Sequence, residues 1–311
     1  MIINTHVHMS RLGRDMSPAL TDFYLGTYEG SNCWHTGRPW EPEDLSPPPE
    51  RLIAHMDEAG IDMAFVLGIA FRPMGAYDPD AAAYVSDMVT RYPQRLIGFY
   101  TADPLGGNKE LDRFVRAVQE RGLRGLKLLP SGNHVAPNDR RIWPLYEAAE
   151  SLGVPIVMHT GWNGFPKERM LDWEHPLHAE DIVQDFPDLK LVLAHVGFQW
   201  AEEAIMLMAR SPNLYGDVAF WNEIIPLWRV AQIWTWAKKL GVLDRFLWGS
   251  DYPFAAFSSG KAFFERVPEY TRRHELEPFI EAADLESFFG GAAARLIGMS
   301  PSRPSARPAC D

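Results

Sequence analysis

Cysteine is almost missing from this chain, which has only Cys33 and Cys310 in 311 residues. Two thiols exclude a disulfide framework and a cysteine-rich metal site, and they fit a reducing compartment. Basic charge is also short: 30 Lys and Arg stand against 41 Asp and Glu, a formal net charge of −11. No basic stripe is present, which argues against nucleic acid and against an anionic membrane surface as partner. No apolar run approaches the ~20 residues of a membrane span. The chain opens on a strand-like run, without the basic and then apolar segments of a secretion signal, so the expected location is the cytoplasm. Gly106-Gly107 lacks phosphate-loop spacing, and no serine nucleophile elbow occurs. What is present, 46% hydrophobic and 23% charged residues, is ample for a core. The length is routine for one α/β barrel.

Short aliphatic and β-branched runs alternate with stretches of helical periodicity. The runs are 1–8, 63–69, 96–100, 125–129, 155–159, 189–195, 213–218 and 245–251. Amphipathic stretches lie between them at 49–59, 78–92, 109–121, 142–152, 179–186, 202–208, 227–240 and 260–270. Gly60, Gly122 and Gly153 fall just past three of these, where a helix terminus favours positive φ. Strands apolar on both faces read as a buried parallel sheet, and strict alternation selects right-handed βαβ units. Eight such units predict a single (β/α)8 TIM barrel over residues 1–299. Residues 9–48 form a long first βα loop rich in Gly, Pro and aromatics, a length typical of lids and binding loops. Residues 300–311, with Pro301, Pro304 and Pro308, read as a disordered tail.

In a parallel barrel the C-terminal strand ends converge on one mouth. The polar residues at these ends are His6, His8, Lys127, His159, His195 and Asp251. His6 and His8 share a face of the first strand. Each residue singly has an ordinary structural explanation, such as a satisfied core histidine or a capping aspartate. Their joint placement points to a metal site of imidazole and carboxylate donors.

Six motifs then carry a family resemblance: Ile3-Asn4-Thr5-His6-Val7-His8, Gly125-Leu126-Lys127-Leu128, Val157-Met158-His159-Thr160-Gly161, the run 186–197 ending in Ala194-His195-Val196-Gly197, Asn213-Leu214-Tyr215-Gly216-Asp217, and Trp248-Gly249-Ser250-Asp251-Tyr252-Pro253. The chain resembles the amidohydrolase superfamily, in the branch that contains aminocarboxymuconate-semialdehyde decarboxylase. The resemblance implies one divalent ion, zinc in the first instance and manganese as the alternative, held by His6, His8, His159 and Asp251, with His195 and Asp251 moving protons. Lys127 is either a carboxylated bridge between two ions or a contact to substrate. The resemblance also implies a homodimer. Two departures stand out: Asn4 occupies the place of the family's usual Asp, and Gly291-Ala292-Ala293-Ala294-Arg295-Leu296 replaces a Gly-Asn-Ala-X-Arg-Leu segment, with a structural consequence expected there.

Arg72 is the expected partner of a substrate anion, and Trp162, Phe165 and His134 are expected near the pocket. The favoured reading is a metal-dependent hydrolase that cleaves an amide, lactone or ester of a small organic acid or cyclic carbonyl compound. The alternatives are a non-oxidative decarboxylase of an aromatic or muconate-type acid, a hydratase, and a barrel that only binds ligand.

Overall fold

Parallel pairing runs without a break in direction from the first strand to the last. The computed structural model describes residues 1–78, 81–164 and 169–299. Its strands are β1 (Ile3–His8), β2 (Met63–Leu67), β3 (Leu96–Gly98), β4 (Tyr100–Thr101), β5 (Leu126–Leu128), β6 (Ile156–Met158), β7 (Leu191–Leu193), β8 (Leu214–Asp217) and β9 (Phe246–Leu247). β3 and β4 are one stave handed over at Phe99: Phe99 N donates to Val66 O at 2.9 Å, and Tyr100 N donates to Gly125 O at 2.8 Å. Closure is made by Thr5 N on Trp248 O (2.9 Å) and His8 N on Tyr252 O (2.7 Å). The result is the expected (β/α)8 barrel, with helices outside.

The strands are shorter than their apolar runs because the last residues of several runs leave the ladder and turn into the mouth. His159 immediately follows β6, and His195 lies two residues beyond β7 in a left-handed conformation (φ 60°). Asp251, at φ 71°, lies four residues past β9.

The barrel interior and its outer layer use alternate residues. Leu126, Leu128, Ile156, Met158, Leu191 and Leu193 pack outward under the helices. Ile3, Phe65, Phe99, Val157, Val192 and Leu247 fill the interior together with Ala292, Ala293, Ala294 and Leu296 of the C-terminal helix Ala292–Leu296. The departure at 291–296 is thus a structural one, as expected. Lys127 is the exception in this layer. It is paired in register with Val157, which is in turn paired with Val192, yet it carries an ammonium into the barrel with 0% exposure. In β1 a register shift between Asn4 and Val7 lets Ile3 face the interior core while Val7 packs outward. His6 and His8 then point into the barrel.

The long first loop has structure of its own. Helix α1 (Pro18–Thr27) starts at Ser17, whose side chain accepts from Leu20 N, with Pro18 in the first turn. Met16, Leu20 and Leu45 pack with Ile69, Phe71, Leu129 and Phe254 in a separate small core above the barrel mouth. At about 1.5–3 kcal/mol for each fully buried large side chain, this core holds α1 as a lid over the strand ends. Among the described residues, no helix is long and apolar enough to cross a membrane. The tail expected over 300–311 lies outside the described residues.

Candidate active site

Three histidines face the same problem of burial and solve it alike. His6 Nδ1 lies 2.9 Å from Asp217 Oδ2, and His8 Nδ1 lies 3.3 Å from the Gly68 carbonyl. Each acceptor calls for a proton on Nδ1, so each ring turns a bare Nε2 into the barrel. His195 Nδ1 donates to Ala219 O at 2.9 Å, which leaves its Nε2 as an acceptor for His159 Nδ1 at 3.1 Å. His159 Nε2 is therefore also a lone pair. It is buried with no hydrogen-bond partner among the described residues. Burial lowers the pKa of all four rings, with Lys127 and the neighbouring histidines adding to it for His6, His8 and His159. His195 is brought down to about 4, burial outweighing the pull of Asp217. Neutral imidazoles with fixed tautomers are the form that binds a metal ion.

His6 Nε2 and His8 Nε2 are 3.2 Å apart, and Asp251 Oδ1 lies 3.7 and 3.4 Å from them. Two donors at 2.0–2.1 Å from a tetrahedral zinc sit about 3.3 Å from each other, so this trio is spaced for one ion. His159 does not join the trio, whose donor atoms all lie within 4.8 Å of one another. It lines the same pocket with the unsatisfied Nε2 described above. Gly249 makes the gathering possible. A Cβ there would meet His6 Cβ at 2.7 Å, so only glycine lets the segment after β9 pass this close to β1.

Asp217, part of one sequence motif but not among the residues expected at the site, is its main organiser. Fully buried, it accepts the His6 ring proton on Oδ2 and the backbone N–H groups of His195 and Ala219 on Oδ1, both at 3.0 Å. It therefore supplies the carboxylate that orients a ligating histidine. Asn4 does something else: its Oδ1 accepts from Ser250 N (3.0 Å) and His6 N (3.1 Å), and its Nδ2 donates to Ser250 Oγ (2.8 Å). A neutral amide, donor and acceptor at once, suits this latch between β1 and the Asp251 turn.

Lys127 rises from mid-strand in the interior layer, not from a strand end, and donates to His6 Nε2 at 3.2 Å. Burial pushes its ammonium down, while Asp217, Asp251 and Glu174 hold it up. Burial likewise pushes the Asp251 carboxyl up, against the pull of Lys127.

Above these groups lies a pocket of about 850 Å³, counted to its open mouth, walled by α1 residues and aromatic side chains of the barrel loops. Trp162 lines it, edge-on to Phe198. Phe165 lies outside the described residues. The other two expectations do not hold. Arg72 pairs with Asp103 and lies over the Tyr77 ring, so its charge is already compensated and it does not line the pocket. His134 is exposed, stacks on Trp173 at 4.7 Å and is not among the residues that line the pocket. A second donor group, Cys33, His35 and Asp44, lies in the first loop. There Arg38 and Glu41 N already occupy the Asp44 carboxylate.

The sequence matches the amidohydrolase family over residues 3–299. A 2-amino-3-carboxymuconate-6-semialdehyde decarboxylase of Dictyostelium discoideum is 23% identical over 310 residues, covering 88% of this chain and 79% of the relative. Two solved structures share the fold. One is a 2,6-dihydroxybenzoate decarboxylase complexed with 2,6-dihydroxybenzoate (TM-score 0.71, 15% identity, 96% and 98% of the chains). The other is a dihydroxybenzoic acid decarboxylase from Polaromonas with bound manganese and the inhibitor 2-nitroresorcinol (0.70, 18%, 96% of each). With its family match spanning the whole barrel, this chain belongs to the amidohydrolase family and is an enzyme of that superfamily.

Proposed function

We propose that the protein is a metal-dependent, non-oxidative decarboxylase of an aromatic carboxylic acid. The observation that carries this reading is the donor set sunk at the floor of a pocket whose walls are mostly aromatic rings. The names of the relatives support it, as does the manganese of the Polaromonas structure. It takes the place of the hydrolase favoured from the sequence, because a water-excluding aromatic pocket suits a reaction in which water is not the attacking group.

His6, His8 and Asp251 would hold the ion, zinc or manganese, with the bare Nε2 of His159 as a further donor. When bound, it supplies Lewis acidity toward the substrate's carboxylate and neighbouring oxygens. The protein's own groups do the rest. The pocket walls orient the ring and exclude water. The bond between ring and carboxylate carbon breaks, its electron pair stays on the ring, carbon dioxide leaves, and a proton adds to the ring carbon. Asp251, whose carboxyl pKa is pushed up by burial, lines the pocket and is the group placed to deliver that proton, and His195 lines the pocket beside it as a proton acceptor. Lys127 adds a buried cation at the floor.

The test is a panel of hydroxybenzoates offered to ion-loaded protein, with carbon dioxide and the phenol product measured beside a panel of esters, lactones and amides. Ion-dependent carbon dioxide release is expected. Turnover confined to an ester, lactone or amide would return the assignment to hydrolysis.

A further inference from the structure

Among the described residues, charge in the pocket is confined to one end. At the floor are His8, His159, His195 and Asp251, with Lys127 just beneath. The walls above are ring faces: Phe23, Tyr24 and Tyr28 from the lid, Phe71, Phe198 and Phe254 from the barrel loops. These rings are locked against one another, Tyr24 on Phe254 at 4.6 Å and Tyr28 on Trp40 at 4.7 Å, so the wall is preformed. Its polar groups are neutral. Asn163 Nδ2 donates to Ser131 Oγ at 3.0 Å. The Tyr28 phenol is held protonated by burial, with the charge of Asp251 reinforcing it. Among the described residues that line the pocket, none is Lys or Arg, and Arg72 is engaged by Asp103 outside it.

Among the described residues, the positive charge nearest a substrate is therefore at the floor. A carboxylate placed there is compensated. A second carboxylate on the far side of the ring would lie against aromatic faces, with no cation among the described residues of that wall, which is unfavourable. A hydroxyl or methoxy group in the same place meets neutral partners.

From this we infer that the enzyme selects an aromatic monocarboxylate, uncharged at the end remote from the reacting carboxylate, and discriminates against dicarboxylates, including one like the carboxymuconate semialdehyde in the name of the Dictyostelium relative. The inference rests on the decarboxylase reading above.

The experiment compares the ion-loaded, full-length enzyme on 2,6-dihydroxybenzoate and on the same ring with a second carboxylate opposite the first. In parallel, calorimetry measures binding of the unreactive pair benzoate and terephthalate. A preference for the monocarboxylate of at least about a hundredfold in kcat/KM is expected, with a matching order in Kd. Thr27→Arg places a cation on an exposed position of the lid that lines the pocket, and should move the ratio at least tenfold toward the dicarboxylate. Equal or better turnover of the dicarboxylate by the unaltered enzyme overturns the selectivity and leaves decarboxylation standing. Carbon dioxide from neither acid, with the ion bound, overturns the decarboxylase reading and the selectivity with it.

Discussion

Asp217→Asn is the perturbation that isolates the logic of the site. The substitution keeps the shape of the side chain. Its amide oxygen can still accept from His195 N and Ala219 N, which both lie on Oδ1 at 3.0 Å, so the turn carrying His195 stays in place. The change falls on the other atom, where an NH2 now faces His6 Nδ1 across 2.9 Å. His6 has two responses. It can keep its Nδ1 proton and set donor against donor, or move the proton to Nε2 and lose the lone pair aimed at His8 and Asp251. The first forfeits a hydrogen bond to a charged acceptor, about 1.5–3 kcal/mol. At about 1.4 kcal/mol per decade, that is roughly a tenfold to hundredfold loss of ion affinity, the range typical of such orienting groups. Zinc or manganese affinity, measured by competition with a chromogenic chelator, should fall by that amount. Long-range ¹H–¹⁵N spectra of the ion-free variant should show the His6 proton on Nε2, while the near-ultraviolet circular dichroism stays that of the parent. Unchanged ion affinity in the folded variant would refute the reasoning.

Other consequences follow from the same contacts. Gly161 has φ 86°, and a Cβ there would lie 2.5 Å from the Gly197 carbonyl group. Gly161→Ala should therefore cost at least about 2 kcal/mol in denaturant unfolding and displace the His195–Phe198 turn. Lys127→Met replaces a buried cation in an apolar layer with a residue of similar length. Its thermal midpoint should match or exceed the parent's while turnover is lost, the pattern of a group kept for function. The ion-free protein should be acid-sensitive. The folded pKa values of His6, His8, His159 and His195 lie below the unfolded value of about 6.5, so the unfolded chain takes up these protons first. Stability is then present above that pH and is lost as pH falls toward the folded values, about 4 for His195. Each ring contributes up to about 1.4 kcal/mol per pH unit. Asp251, raised by burial, acts in the opposite sense, one group against four. Thermal midpoints of chelator-treated protein from pH 7 to 4.5 check this, and a flat profile would contradict it.

Much of this was legible because a barrel converts strand order into spatial convergence. His6 and His8 share a face by simple alternation, and the polar ends of apolar runs met at one mouth. What escaped the sequence depends on contacts between distant segments. Nothing local in Arg72 reveals that Asp103 neutralises it. His159 sits at a strand end as expected, yet its tautomer is set by His195 and, through it, by the carbonyl of Ala219. Asp217 carried a readable signal, a carboxylate closing the seventh apolar run, but its apolar neighbours alone did not say that one oxygen would hold a ring and the other two backbone amides. The lid helix was announced by Ser17-Pro18, an N-cap followed by a proline suited to the first turn. The surrounding glycines and aromatics read more strongly as loop. Lys127 was placed at a strand end because a charged residue fits there most easily, whereas the fold carries it into the interior layer.

The most direct test is ion content per chain by mass spectrometry after reconstitution with manganese or zinc, for the parent and for His6→Ala and Asp251→Asn. One ion per chain is expected in the parent and its loss from both variants, with the variants still folded by circular dichroism. A parent chain that takes up no ion, or variants that keep a full complement, would contradict the assignment of His6, His8 and Asp251 as a metal centre.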